Sequence, residues 1–294
     1  MFESLRVPAF YLAKDPVLSC FATGRDKGLV IDSGGDCSIA SCVHDGFSLR
    51  KSVVVSALGG SSLGSDLLAH VQQQLGVAVR PRFDVRRTEV KPGEFTVQQL
   101  NLPARDSYRR AMVFDVARDI KESLCRVSEQ PWRDVANHGV AGGSYELPDG
   151  NKIELAAPKF ALAEPLFAAV PDGGAPIGAD TLDAQNLSIP QIAVASLRRA
   201  DVDLQRDLFA NVVATGGNSM LPGFSERLTH ELTSACAPQM FKLKLIAAGF
   251  AAERRFSVWI GGSILASLGT FQQLWISKQE YDETGAQIVQ IKCA

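Results

Sequence analysis

None of the six cysteines (Cys20, Cys37, Cys42, Cys125, Cys236, Cys293) pair at CxxC spacing, and the four histidines (His44, His70, His138, His230) form no HExxH or other paired pattern. A structural zinc site or a metal-dependent hydrolase is therefore disfavoured, and the cysteines read as reduced thiols. No Walker A sequence, kinase signature set or Ser/His/Asp order stands out. No run of about 18 apolar residues occurs, and the first residues lack a charged stretch followed by an apolar one. The expected compartment is cytosol or nucleus, with no membrane partner. Net charge is also missing: 30 basic residues face 32 acidic ones, a formal balance of -2. Such a chain has no overall pull toward phosphate backbones or anionic lipid, so any nucleic-acid contact must be local.

What is present is enough apolar material for a core, with 46% hydrophobic residues over 294 positions. Lys27 to Asp32 reads as an apolar strand ending in an acid, followed by the turn residues Ser33-Gly34-Gly35-Asp36. Cys37–Val43 and Phe47–Val55 are expected to continue as second and third strands of a meander. Leu67, Leu68, Val71 and Leu75 then share one helical face.

Between Arg80 and Arg110, eight basic residues outnumber four acidic ones, with Pro81, Pro92 and Pro103 interrupting regular structure. A solvated loop is the plain expectation, and a patch for DNA, RNA or an acidic partner is the sharper alternative. Met112, Val116, Ile120, Leu124 and Val127 define an amphipathic helix that carries Lys121-Glu122 beside its apolar seam. Tyr145 to Leu155 predicts a hairpin around Pro148-Asp149-Gly150, and residues 171–180 a loop. Asn211 to Thr215 predicts a strand, Gly216-Gly217-Asn218-Ser219 a glycine turn, and Pro222 the start of a helix reaching Ser234. Phe256 to Trp275 reads mostly as helix.

Glycine after a strand lets backbone N–H groups approach an anion, and the carboxylate of Asp32 can orient a hydrated cation. In an arbitrary protein either glycine turn alone is a plain turn. Two of them, with a helix bearing Lys121-Glu122, are the parts of a nucleotide cleft between two lobes.

Longer stretches carry a resemblance. Glu253-Arg-Arg-Phe-Ser-Val-Trp-Ile260 through Tyr281, Ala214-Thr-Gly-Gly-Asn-Ser-Met-Leu-Pro-Gly223, Ser144-Tyr-Glu-Leu-Pro-Asp-Gly150, Asp119-Ile-Lys-Glu-Ser-Leu-Cys125 and Val30-Ile-Asp-Ser-Gly34 closely resemble the actin superfamily. Within it, Val43-His-Asp-Gly-Phe47, Leu243-Lys-Leu-Ile-Ala247 and Ser267-Leu-Gly-Thr-Phe-Gln-Gln273 look most like the nuclear class typified by actin-related protein four. The resemblance implies an actin-like α/β fold with ribonuclease H-like lobes. Met1 aligns with an internal family position. The expectation is thus an N-terminally truncated form: partial subdomain 1 (1–22 and 256–294), subdomain 3 (23–58 and 185–255), subdomain 4 (59–184, with a basic insertion near 80–108), and no subdomain 2.

The resemblance places Asp32, Ser33, Gly34 and Asp36 in a phosphate loop, Lys121 and Glu122 at the ribose and base edge, and Gly216, Gly217 and Met220 on the adenosine side. Arg255 stands where actin has a base-contacting lysine. The family's water-orienting glutamine aligns with Asp15 and its phosphate-side histidine with Ile39, and neither replacement has the same proton chemistry. The implied protein is not an enzyme, binds ATP weakly or not at all, and holds Mg only with nucleotide. A second inherited surface is a groove for a partner helix between subdomains 1 and 3, lined by Phe21, Gly24, Gly46, Ile260, Ile264, Leu265, Leu268, Thr270 and Leu274. Plain core packing is the alternative for each. The implied role is a scaffold subunit of nuclear chromatin-remodelling or histone-acetyltransferase complexes. Its partners would be an actin monomer and a helix of a remodelling ATPase, with histones and direct nucleic-acid contact left open. A cytoskeletal protein that binds ATP and polymerises is the runner-up, and a degenerate copy the third reading.

Overall fold

The computed structural model describes residues 1–92, 94–132, 141–168, 187–236 and 242–293. The expected loop at 171–180 and His138 lie outside them. The first elements are β1 (Ala9–Phe10), α1 (Asp15–Ala22), β2 (Gly28–Ser33), β3 (Ser38–His44), β4 (Phe47–Ser48), β5 (Val54–Ser56) and α2 (Gly60–Ala69). A hairpin of β6 (Val85–Lys91) and β7 (Glu94–Gln99), the helix α3 (Asp106–Leu124) and a hairpin of β8 (Gly143–Glu146) and β9 (Lys152–Leu155) follow. The last stretch holds α4 (Ile189–Arg198), α5 (Val202–Phe209), β10 (Val212–Thr215), α6 (Phe224–Cys236), β11 (Leu245–Ile246), α7 (Ser257–Ser267), β12 (Ile276–Ser277) and α8 (Lys278–Thr284).

The main sheet has the order β11, β10, β2, β3, β4, with β5 also on β3. It is buried on both faces, which is why β2 reads as an unbroken apolar run. Leu29 and Ile31 point into a core shared with Ile189, Ala193 and Leu197 of α4 and with Phe224 and Leu228 of α6. Val30 points the other way, into a cluster with Val17 and Cys20 of α1 and Val213. A smaller core joins Leu67, Val116, Ile120, Leu147, Ile153 and Leu155, and so binds α2, α3 and the β8–β9 hairpin together.

Four expectations are corrected. The third strand of the meander is interrupted: Ser52 donates from Oγ to the Leu49 carbonyl at 2.7 Å and accepts the Cys42 N–H at 2.9 Å. The segment therefore becomes β4, a 3-10 turn at Arg50–Ser52, and β5. The apolar face ending at Leu75 runs through α2 into a π-helical turn, His70–Gln74, which leaves Leu75 exposed. The basic stretch is an antiparallel hairpin with a register shift between Glu89 and Lys91, not a loop. Pro81, Pro92 and Pro103 lie outside its strands. The helix expected from Pro222 begins at Phe224, because Gly223 adopts φ 87° and the Pro222 carbonyl accepts the Val127 N–H at 2.8 Å.

Candidate functional site

Parallel pairing of β2 with β10 sets Thr215 beside Asp32. Both strands end at the same sheet edge, so both glycine turns do too, the usual place for a ligand in a sheet of this kind. Asn218, buried in the second turn, donates to Ser33 Oγ at 3.1 Å and to the Gly34 carbonyl at 2.8 Å. Gly216 has φ 88°, and a Cβ there would collide with a carboxylate oxygen of Asp32 and the carbonyl of Ser33. Only glycine allows this closeness. Arg254 secures the turn from below: its guanidinium donates to the Ser219 carbonyl at 2.7 Å, and its own carbonyl accepts from Thr215 Oγ1 at 2.7 Å.

The first turn is held by α2. The N–H groups of Gly60 and Ser61 donate to the carbonyls of Gly34 and Gly35 at 2.9 and 2.7 Å, and Ser61 Oγ donates to Asp36 at 3.0 Å. Helix α3 supplies the facing wall. Phe114, Arg118, Lys121 and Glu122 recur at helical spacing and line one cavity of about 430 Å³ with Asp32, Gly34, Gly35, Gly60, Ser61, Gly216, Gly217, Asn218, Met220, Leu221 and Arg255. Eight of the ten residues expected at a nucleotide site thus share one cavity. Ser33 and Asp36 are outside its lining: Ser33 is buried against Ser38 at 2.8 Å, and Asp36 is exposed beside Ser61.

The cavity's size suits a nucleotide-sized molecule, and its wall offers both charges and exposed glycine backbone. Lys121 is 7% exposed and donates to the Gly60 carbonyl at 3.0 Å. Burial, only partly offset by Glu122, moves its ammonium pKa down. Burial, reinforced by Asp15, pushes the Asp32 carboxyl up. Ile39 lies directly across the β2–β3 ladder from Asp32. Sequence reasoning missed Gly60, Ser61, Phe114 and Arg118. The signals were Gly-Gly-Ser at the start of α2 and the i, i+4, i+7 spacing of residues 114, 118 and 121. Among the described residues, no three His, Cys, Asp or Glu side chains gather to hold a metal ion. No described helix is long and apolar enough to cross a membrane.

The groove residues divide. Gly261 packs so closely on the Leu18 carbonyl that a Cβ would overlap it, which seats α7 on α1. Ser257, Gly261 and Leu265 form the buried stripe, so Leu265 belongs to packing and not to an open groove wall. Phe21 covers Gly46, and Ile260 lines a small 120 Å³ cavity with Ala22 and Thr23. Gly24 has φ 68° and open space above it. Ile264 and Leu268 are 42% and 48% exposed, and Thr270 and Leu274 also face solvent.

A family model described as actin matches residues 1–294. A protein of Oryza sativa subsp. indica called Actin-related protein 4 is 42% identical over 299 residues, covering 100% of this chain and 66% of that protein. Its namesake from Arabidopsis thaliana is 41% identical over 299 residues, with 100% and 67% covered. The Neurospora crassa protein of that name is 38% identical over 311 residues, with 99% and 64% covered. The chain spans about two thirds of the length of these curated relatives.

Proposed function

The chain belongs to the actin family, and from that premise we propose that it is a non-catalytic actin-related subunit of nuclear chromatin-remodelling or histone-acetyltransferase complexes. It receives a partner's amphipathic helix in the groove between subdomains 1 and 3. Its relatives' shared name, Actin-related protein 4, supports the nuclear class. The observation that carries the docking role is helix α7. It carries no charged residue, its only polar side chains being serines, yet it buries only one stripe and leaves Ile264 42% exposed, with Leu268 just past its end at 48% and Leu274 also exposed. A helix with that composition is ordinarily covered all round. The expected partners are a helical segment of a remodelling ATPase and monomeric actin, with histones as a further one. Nucleotide, with Mg accompanying it, binds weakly or not at all. Asp15 and Ile39 beside Asp32 support the absence of turnover, since an isoleucine accepts no proton and an aspartate is shorter than a glutamine and charged.

One observation favours a second reading, a cytoskeletal protein that binds ATP and polymerises: the nucleotide-sized cavity is assembled, with Lys121 and both glycine turns in its wall. Affinity purification of the tagged protein from nuclear and cytosolic fractions separates the two. The first reading expects a remodelling ATPase and actin in the nuclear eluate, and their loss on Ile264→Asp with Leu268→Asp while the melting temperature holds. Recovery in cytosolic filaments with bound ATP would replace it with the second.

A further inference from the structure

The positive charge between Arg80 and Arg110 is not spent uniformly. Arg82 is paired with Asp119, Arg87 with Glu146 at 2.6 Å, and Arg109 with Asp84. Arg86 has no acidic partner among the described residues, and Lys91 only a loose one, Glu94 at 4.0 Å. The division follows the pleat of the β6–β7 hairpin. Arg87 stacks over Phe95 at 4.5 Å, and Val97 sits beside Gly150 of the next hairpin, so the face carrying Arg87, Phe95 and Val97 is the one turned toward the β8–β9 hairpin, with Phe95 and Val97 still 47% and 41% exposed. Successive side chains alternate along a strand, so the opposite face looks away from the protein. Register puts Arg86 across from Gln98 and Thr88 across from Thr96 on that outer face. All four are exposed.

These four positions of the outer face carry no carboxylate, Glu94 lying further along it beside Lys91, and their side chains are of kinds that hydrogen-bond base edges: arginine to guanine, glutamine to adenine, threonine to either. A two-stranded ribbon, with strands about 4.8 Å apart, fits a B-form major groove about 12 Å wide. The A-form major groove of duplex RNA is too narrow and deep to admit it. We propose that the outer face of the β6–β7 hairpin is a binding surface for double-stranded DNA, with Arg86 and Gln98 directed at base edges and Lys91 at a phosphate. The proposal is independent of the α7 groove. The formal net charge of -2 means that contact depends on this local patch and weakens steeply with salt.

Fluorescence anisotropy on the 294-residue chain tests it, at about 50 mM salt with a labelled DNA duplex of about 20 base pairs. Duplex RNA of equal length and a polyglutamate peptide are the alternative probes. DNA should bind, and Arg86→Ala with Gln98→Ala should weaken it about tenfold or more. Lys91→Ala should lower the salt slope by about one. Lys278→Ala, which removes a lysine paired with Asp282 on α8, should change neither. Thermal melts check that the variants fold; if the double variant does not, Arg86→Glu alone must abolish binding. No DNA binding at low salt, unchanged binding by the double variant, or equal binding to RNA or polyglutamate would each overturn the proposal. The last would assign the hairpin to an acidic protein partner instead.

Discussion

The cavity rim and the outer surface of α7 both depend on glycine, and they use it to opposite ends. At the rim, Gly216 brings Asp32 and the second turn together, and Asn218, Thr215 and Arg254 then bond the two turns and the helix behind them. The polar groups of those four bonds are completed within the chain. On α7, Gly261 drives the helix onto α1, but the opposite side is left with Trp259 at 80% exposure. Close packing on one side does nothing for the other. A rim finished from within resists substitution, whereas an apolar surface left open registers changes mainly when something covers it.

Substitutions can break that contrast, beginning with the largest effect. Gly261→Val should cost about 3 kcal/mol or more in a urea titration, since the branched side chain would occupy the space of the Leu18 carbonyl and part α7 from α1. Gly216→Ala should cost about 2–3 kcal/mol, combining a strained positive φ with the clash against Asp32 and Ser33. Asn218→Ala should cost about 2 kcal/mol by the same titration, because the Gly34 carbonyl and Ser33 hydroxyl lose a buried donor.

Asp32→Asn sharpens the contrast electrostatically. Burial, then Asp15, raises the Asp32 pKa in the folded chain, so the fold favours the protonated acid. Stability from this group is complete below the ordinary carboxylate pKa and is lost as pH rises through the raised value. The asparagine variant should therefore melt higher than the parent at about pH 7, with the difference vanishing toward about pH 3. Smallest in stability is Ile264→Asp. It should shift the unfolding free energy by only about 1 kcal/mol, since Ile264 is already 42% exposed, while abolishing partner recovery.

Much of this was legible beforehand. The apolar run Leu29-Val-Ile31 and the run Val212 to Thr215 were readable as strands because both faces of the sheet are buried. The spacing of Val116 and Ile120 gave α3 because those residues meet a core. The basic hairpin was misread because three prolines and dense charge mimic a loop. Its strands are stabilised by cross-strand contacts and by Arg87 reaching Glu146, which no local pattern displays. Arg227 is the same lesson at the other extreme. Nothing in its neighbourhood announces an arginine 1% exposed, held by Glu164 and Glu231 at 2.7 Å each and by the carbonyls of Ser128 and Gln130.

By itself, the sequence determined the buried strands, the two glycine turns and the Lys121-Glu122 helix, because periodicity, apolar runs and glycine act over a few residues. Tertiary structure alone decided that both turns share one edge, that Phe114 and Arg118 join the wall, and that Leu265 packs while Ile264 stays open. Each of these turns on strand register or helix docking across as many as 243 residues of chain, from Leu18 to Gly261, and those distances are closed only by the packed core.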